Sequence, residues 1–161
     1  MIEGKSYPNA ATWANQSDNL KHLIDPSDNL VYNAHCYFDN YQSGQYQLSY
    51  DASNITPQTG VEKISPFINC LKANGKRGFV GEFGIPKTDR RWLLVLDNFL
   101  NYLTANNISG SYWAAGQWWR SYPLSLHPIV SADQPQLIVY AKYLQNPANA
   151  AMASNTTVAS Q

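Results

Sequence analysis

Charge is scarce in this chain. Only 14% of its 161 residues are Asp, Glu, Lys or Arg, against roughly 25% in an average domain. Eleven basic and eleven acidic residues cancel. Binding to a phosphate backbone needs a basic patch, so this balance argues against nucleic acid as a partner. Cysteine is scarce too. Cys36 and Cys70 are too few for a disulfide scaffold and have no C-x-x-C metal spacing. They read as two buried thiols, with a single bridge as the alternative. Long apolar runs are missing: none approaches the roughly 18 residues that cross a bilayer, so no membrane partner is expected. Met1-Ile2-Glu3-Gly4-Lys5 lacks the basic-then-apolar pattern of a signal peptide. The three histidines are scattered, so no metal site is expected. There is no glycine-rich phosphate loop and no G-x-S-x-G elbow. Glutamate occurs only at positions 3, 62 and 82.

What is present is 44% apolar residues, 13% aromatics and an abundance of Asn, Gln, Ser and Tyr. That excludes wholesale disorder and gives one domain with a core. Short apolar runs alternate with helical periodicities. Leu30 to Phe38 reads as a strand, and Met1 to Gly4 as a shorter one. The segment 39–60 is a long polar and aromatic loop, of the kind more often functional than idle. Val61, Ile64, Phe67, Ile68 and Leu71 recur at helical spacing, and Asn74-Gly75 is a stop signal. Arg77 to Gly84 reads as a strand. Asp89 opens a helix with the stripe Trp92, Leu93, Leu96, Phe99, Leu100 and Leu103. Ile108 to Ala115 is a further strand, and a last helix runs from about Pro135 to Leu144. Strand–helix alternation predicts an α/β fold with a parallel sheet of four units, over residues 1–145. Residues 146–161, small and polar, read as a frayed tail.

Three groups of residues suggest chemistry. Glu82 follows an apolar strand, between Gly81 and Gly84. A carboxylate at the C-terminal end of a parallel strand lies where β/α barrels place reacting groups. A structural ion pair is the alternative. His35 and Tyr37 alternate on one strand and point to one face, fit to orient a nucleophile or a sugar hydroxyl. A hydrogen-bonded core histidine is the plainer reading of His35. Trp113 ends a strand, and Trp118 and Trp119 follow it. Such rings stack on the apolar faces of sugars, with neutral polar neighbours on the hydroxyls.

Ala34-His35-Cys36-Tyr37-Phe38-Asp39, then Gly78-Phe79-Val80-Gly81-Glu82-Phe83-Gly84, then Tyr112-Trp113-Ala114-Ala115-Gly116-Gln117-Trp118-Trp119 together resemble glycoside hydrolase family 5, and its bacterial endo-β-1,4-glucanases above all. The likeness runs from about Met1 to Leu144. It implies a (β/α)8 barrel and retaining hydrolysis of β-glucan without a cofactor. It makes Glu82, on the seventh strand, the nucleophile. It sets His35 and Tyr37 on the sixth strand, and Trp113 on the eighth beside the reacting sugar. Trp118 and Trp119 extend that wall.

The same likeness leaves the family's first four strands without a counterpart, and with them the Asn-Glu pair whose glutamate is the general acid/base. No Asn-Glu dipeptide occurs here. The expectation is therefore a (β/α)4 half of a TIM barrel whose open sheet is closed by a homodimer or a larger even assembly. Two sources of a second carboxylate are considered: Glu3, at the mouth of the first strand, and Glu82 from the second copy. The function expected is that of an endoglucanase-like hydrolase whose activity is weakened or lost. A glucan-binding half-barrel and an inert assembly fragment are the alternatives. Localisation is not encoded in these residues; the resemblance implies secretion only so far as the chain follows its parent family.

Overall fold

Four short segments, each alternating core-facing side chains with small or polar ones, pair side by side in chain order. They are β1 (Ile2–Glu3), β2 (Val31–His35), β3 (Arg77–Phe83) and β4 (Ser109–Tyr112), and every pairing is parallel. The computed structural model describes residues 1–129 and 132–144. Helices α1 (Trp13–Gln16), α2 (Thr59–Ala73) and α3 (Trp92–Ala105) fill the three crossovers, and α4 (Pro135–Leu144) follows β4. This is the succession of βαβ units of a partial (β/α) barrel, as the alternation predicts. The tail expected over 146–161 lies outside the described residues, as does the last residue of the expected 1–145 unit.

The helices begin and end for local reasons. In α2 the buried stripe is Ile64, Phe67, Ile68 and Leu71, as the periodicity predicts. Its end is a Schellman closure: Gly75, at φ 60°, donates to Lys72 O, and Lys76 donates to Leu71 O. The end of α3 repeats the device with Asn107 (φ 54°) in the left-handed position and Ile108 donating back to Leu103 O. The strands are shorter than the sequence suggests. β2 stops at His35 rather than Phe38, and β4 at Tyr112 rather than Ala115. Cys36, Phe38 and Ala114 are buried just beyond those ends, where single ladder bonds persist: Cys36 N–H donates to Glu82 O and Trp113 N–H to Phe83 O, each at 2.8 Å.

The core lies between one face of the sheet and the helices. Tyr32, Ala34, Val80 and Phe83 meet Ile64, Phe67 and Ile68 from α2 and Val95, Leu96, Phe99 and Leu100 from α3. Phe99 stands at its centre, with ring centroids 4.9 Å from Phe38 and 5.1 Å from Phe83. Cys36 and Cys70 are both free, and burial pushes the Cys36 thiol up to about 12, which makes it inert. Among the described residues no helix is long and apolar enough to cross a membrane.

The other face of the sheet is polar and open. Glu3, Ser109 and Ser111 are exposed on it, and Asn33 bridges to Glu3 with Nδ2 donating to Oε1 at 3.0 Å. A parallel sheet ordinarily has both faces covered.

Burial also raises the phenol pKa of Tyr37, Tyr46 and Tyr112. In an unfolded chain these groups titrate near about 10. Above that pH the native state holds protons that the unfolded chain releases. Their stabilising contribution is therefore complete below about pH 10 and is lost as the pH rises further. A pH series of thermal unfolding is expected to show the midpoint falling steeply on the alkaline side. Spectroscopic ionisation of these tyrosines before unfolding would contradict this.

Candidate active site

Glu82 reaches the rim through an irregularity in β3. Ala34 pairs with Val80, but the next residue, His35, pairs with Glu82, so Gly81 is an extra residue against β2. The same stretch is out of step with β4. In an unbroken strand residues 80 and 82 share a face. Val80 is fully buried beneath the helices. The bulge leaves Val80 and Phe83 in the core and turns Glu82 the other way. The displaced carbonyl of Gly81 accepts from Ser111 Oγ at 2.6 Å. Only glycine fits: a Cβ at 81 would stand 2.4 Å from Asn33 Oδ1.

Two side chains from the end of β2 converge on the carboxylate. Tyr37 donates its hydroxyl hydrogen to Glu82 Oε2 at 2.8 Å, and His35 Nδ1 lies 3.5 Å from the same oxygen. Burial, and after it the hydrogen bond to Glu82, hold the Tyr37 proton firmly on the phenol. Tyr37 is therefore a fixed donor over the whole neutral range. Among the described residues Glu82 Oε1 has no protein donor, and the Glu82 side chain is 29% exposed. One oxygen is thus anchored and the other is free to meet a ligand. Both side chains reach Glu82, as expected, but Tyr37 does so from two residues past the end of β2 rather than from the strand.

The carboxylate opens into a cleft of about 620 Å³. Tyr7 and Asn9 line it from the segment after β1, and Tyr41, Gln42, Ser43 and Gln45 from the loop after β2. That loop is braced from inside. The buried Asp39 carboxylate accepts from Ser43 N, Ser43 Oγ and Gly44 N at 3.2, 2.9 and 3.0 Å. Lys63 of α2 donates to Asp39 O at 3.1 Å. Tyr46 accepts from Phe38 N at 3.2 Å and donates to Gly84 O, tying the loop to the end of β3. Its far part is held by Arg91, which spans Asp51 and Asp89 and lies 4.3 Å over the Tyr50 ring. The sequence flagged this loop as functional but singled out none of its residues. Tyr7, Asn9, Tyr41, Gln42 and Gln45 carry no local pattern that sets them apart.

The remaining expected site residues lie elsewhere. Glu3 is pinned by Asn33 and sits two strands from Glu82 and two residues lower in the sheet. With standard strand spacing and rise, that is roughly 12 Å between their Cα positions. Trp113 is placed beside the end of β3, its N–H donating to Phe83 O at 2.8 Å. Its ring packs on Trp119 at 5.2 Å, and Trp119 packs on Tyr122 at 5.0 Å. Burial raises the Tyr122 pKa, a hydrogen bond to Trp113 opposes this, and the negative charge of Glu82 adds to the rise. Trp118 is 91% exposed. The cavity beside Glu82 is lined by none of the three; Trp113, Trp119 and Tyr122 form an aromatic group on the neighbouring side of the rim.

The family description "Cellulase (glycosyl hydrolase family 5)" matches residues 1–118. The chain belongs to glycoside hydrolase family 5. Its family 5 relatives include endo-β-1,4-glucanase B of Emericella nidulans, 35% identical over 131 residues, and endo-β-1,4-glucanase B of Aspergillus niger, 37% identical over 132. Each match takes in 80% of this chain and 38% of the relative. Among solved structures, an endoglucanase of Pseudomonas stutzeri in complex with cellobiose is 40% identical with a TM-score of 0.83. That match covers 90% of this chain and 44% of the Pseudomonas enzyme. The chain thus spans less than half the length of these proteins. Its four strands form part of their TIM barrel, and both fungal and bacterial endoglucanases are among its relatives.

Proposed function

We propose that this chain is the nucleophile-bearing part of an endo-β-1,4-glucanase that cleaves β-glucan with retention. The observation that carries the reading is the Tyr37–Glu82–His35 cluster, which anchors one carboxylate oxygen and leaves the other free in a cleft lined by neutral polar and aromatic side chains. Glu82 Oε1 attacks the anomeric carbon, the glycosidic C–O bond breaks, and the departing oxygen takes a proton from a general acid. Water, deprotonated by the same group, then displaces Glu82 and frees the sugar. Tyr37 and His35 hold the carboxylate in its attacking orientation. Trp113 and Trp119, grouped with Tyr122 on the side of Glu82 away from that cavity, offer the glucan an apolar wall, and Trp118 extends it outward.

A retaining site places its two carboxyl groups about 5 to 5.5 Å apart. Glu3, whose Cα lies roughly 12 Å from that of Glu82, accepts a hydrogen bond from Asn33 on the open sheet face. On this reading the acid/base is Glu3 or a carboxylate on the strands that complete the barrel. For the 161-residue chain on its own, a second copy supplies them, covering the polar sheet face and both edge strands. A second reading, glucan binding without turnover, is favoured by the fact that Glu82 is the only acidic side chain lining the cleft among the described residues.

The test is reducing-sugar release from carboxymethyl-cellulose, with the mass in solution measured by light scattering. Release from a dimer supports the reading. A dimer that binds cello-oligosaccharides without release supports the second. A stable monomer that does neither overturns both.

A further inference from the structure

Tyr37 is buried, yet its ring is not among the side chains that make up the core cluster. Another part of the molecule must therefore fix the direction of the hydroxyl that meets Glu82. The backbone of Gly44, in the loop after β2, lies against one edge of the ring. A Cβ at 44 would stand 2.8 to 3.0 Å from Tyr37 Cε1, Cδ1 and Cζ. Gly44 comes this close with φ 73°, a left-handed conformation that favours glycine. Asp39 closes the turn that carries it. That residue is 3% exposed, and its carboxylate accepts from Gly44 N on Oδ1 and from Ser43 N and Oγ on Oδ2. Asp39 does not line the cleft. What it sets is the seat of Gly44 against the ring.

Resting on the nucleophile reading above, we propose that Asp39 is a positioning residue for the transfer of the sugar to Glu82: it seats Gly44 against Tyr37, and the seated ring aims the phenol hydrogen at Glu82 Oε2. A carboxylate suits the task. Both of its oxygens accept, so three donors from two consecutive residues are gathered at once. An amide in the same place would turn an NH2 group toward one of those donors. The relay moves no proton. It works through shape, and it steadies the attacking carboxylate without meeting the sugar.

The covalent step can be followed directly on the full chain in its assembled form. With 2-deoxy-2-fluoro-β-cellobiosyl fluoride, Glu82 Oε1 bonds to the anomeric carbon and the C–F bond breaks. Fluoride leaves without a general acid, and the adduct is counted by intact mass. Asp39→Asn withdraws an acceptor from the turn. Gly44→Ala leaves Asp39 in place and pushes a methyl group into the Tyr37 ring, and it decides the matter alone if the asparagine variant does not fold. Each is expected to lower the saturating rate of labelling about 10-fold, as is Tyr37→Phe. Added to Tyr37→Phe, neither should lower it by more than about a further 2-fold, because the hydroxyl that they misdirect is already gone. An equal fall in both backgrounds, or no fall at all, overturns the relay and leaves Glu82 as nucleophile. So does a change confined to the half-saturating concentration, which is what a displaced cleft wall would give. A wild type that takes no label overturns both readings.

Discussion

Replacing Glu82 by glutamine is expected to lower the release of reducing sugar from soluble β-glucan by at least roughly 10⁴-fold with the fold intact. Glutamine has the shape of glutamate and still offers an oxygen to the Tyr37 hydroxyl at the Oε2 position. It lacks the charge and the nucleophilicity needed to form a glycosyl ester. The bulge, the Asn33 contact and the buried Phe83 do not depend on that charge, so the thermal midpoint should stay near that of the wild type. Aryl cellobiosides sharpen the assignment. Their leaving group departs with little protonation, so they relieve the loss of an acid but not of a nucleophile. Glu82→Gln should therefore remain inactive on them. Recovery of most of the rate on the aryl substrate, or retention of wild-type turnover on the polymer, would remove Glu82 from the nucleophile's role.

Phe99→Ala should produce the largest loss of stability of any single truncation considered. Phe99 is fully buried and lies edge-on to Phe38 and tilted against Phe83. Truncating such a ring costs about 3 to 5 kcal/mol, a large share of the 5 to 15 kcal/mol that typically separates folded from unfolded domains. The effect also reaches the site. Phe38 immediately follows Tyr37 and immediately precedes Asp39, so a cavity beneath Phe38 loosens the donor to Glu82 and the loop brace together. Urea unfolding should show the lower midpoint, and turnover should fall even under conditions where the variant is folded. A cost below about 1 kcal/mol would show that the core collapses around the gap and that Phe99 does not hold the loop.

Much of this arrangement was legible from residue order. Ile64, Phe67, Ile68 and Leu71 repeat at helical spacing because one face of α2 meets the sheet. Asn74-Gly75 stops that helix because Gly75 takes the left-handed closing position. Glu82 drew notice through its flanking glycines, and the structure gives a reason for one of them, the close approach of Asn33 to Gly81. Strand ends were less legible. Cys36, Phe38 and Ala114 look like strand residues because the core that they join extends past the last paired residues. The tryptophans were read as one wall with the carboxylate, whereas Trp118 faces solvent and the other two stack on Tyr122's side of the rim. The cleft wall itself was invisible. Gln42 and Asn9 become neighbours of Glu82 only through turns that Asp39 and Ser6 close, and no periodicity encodes those.

The irregular pairing at Gly81 has a bearing on how this chain can change over time. β3 reads in one phase up to Val80 and in the other from Glu82 onward. Substitutions that keep volume in the lower stretch leave the upper one in register, so core and rim are free to drift separately. A change of pairing is another matter. If the bulge closed with every residue kept, unbroken alternation would carry the acid into the hydrocarbon layer beneath α2 and α3 and bring Phe83 to the mouth. Related sequences should therefore conserve side-chain volume in the lower stretch and keep the small residue that lets the strand bulge.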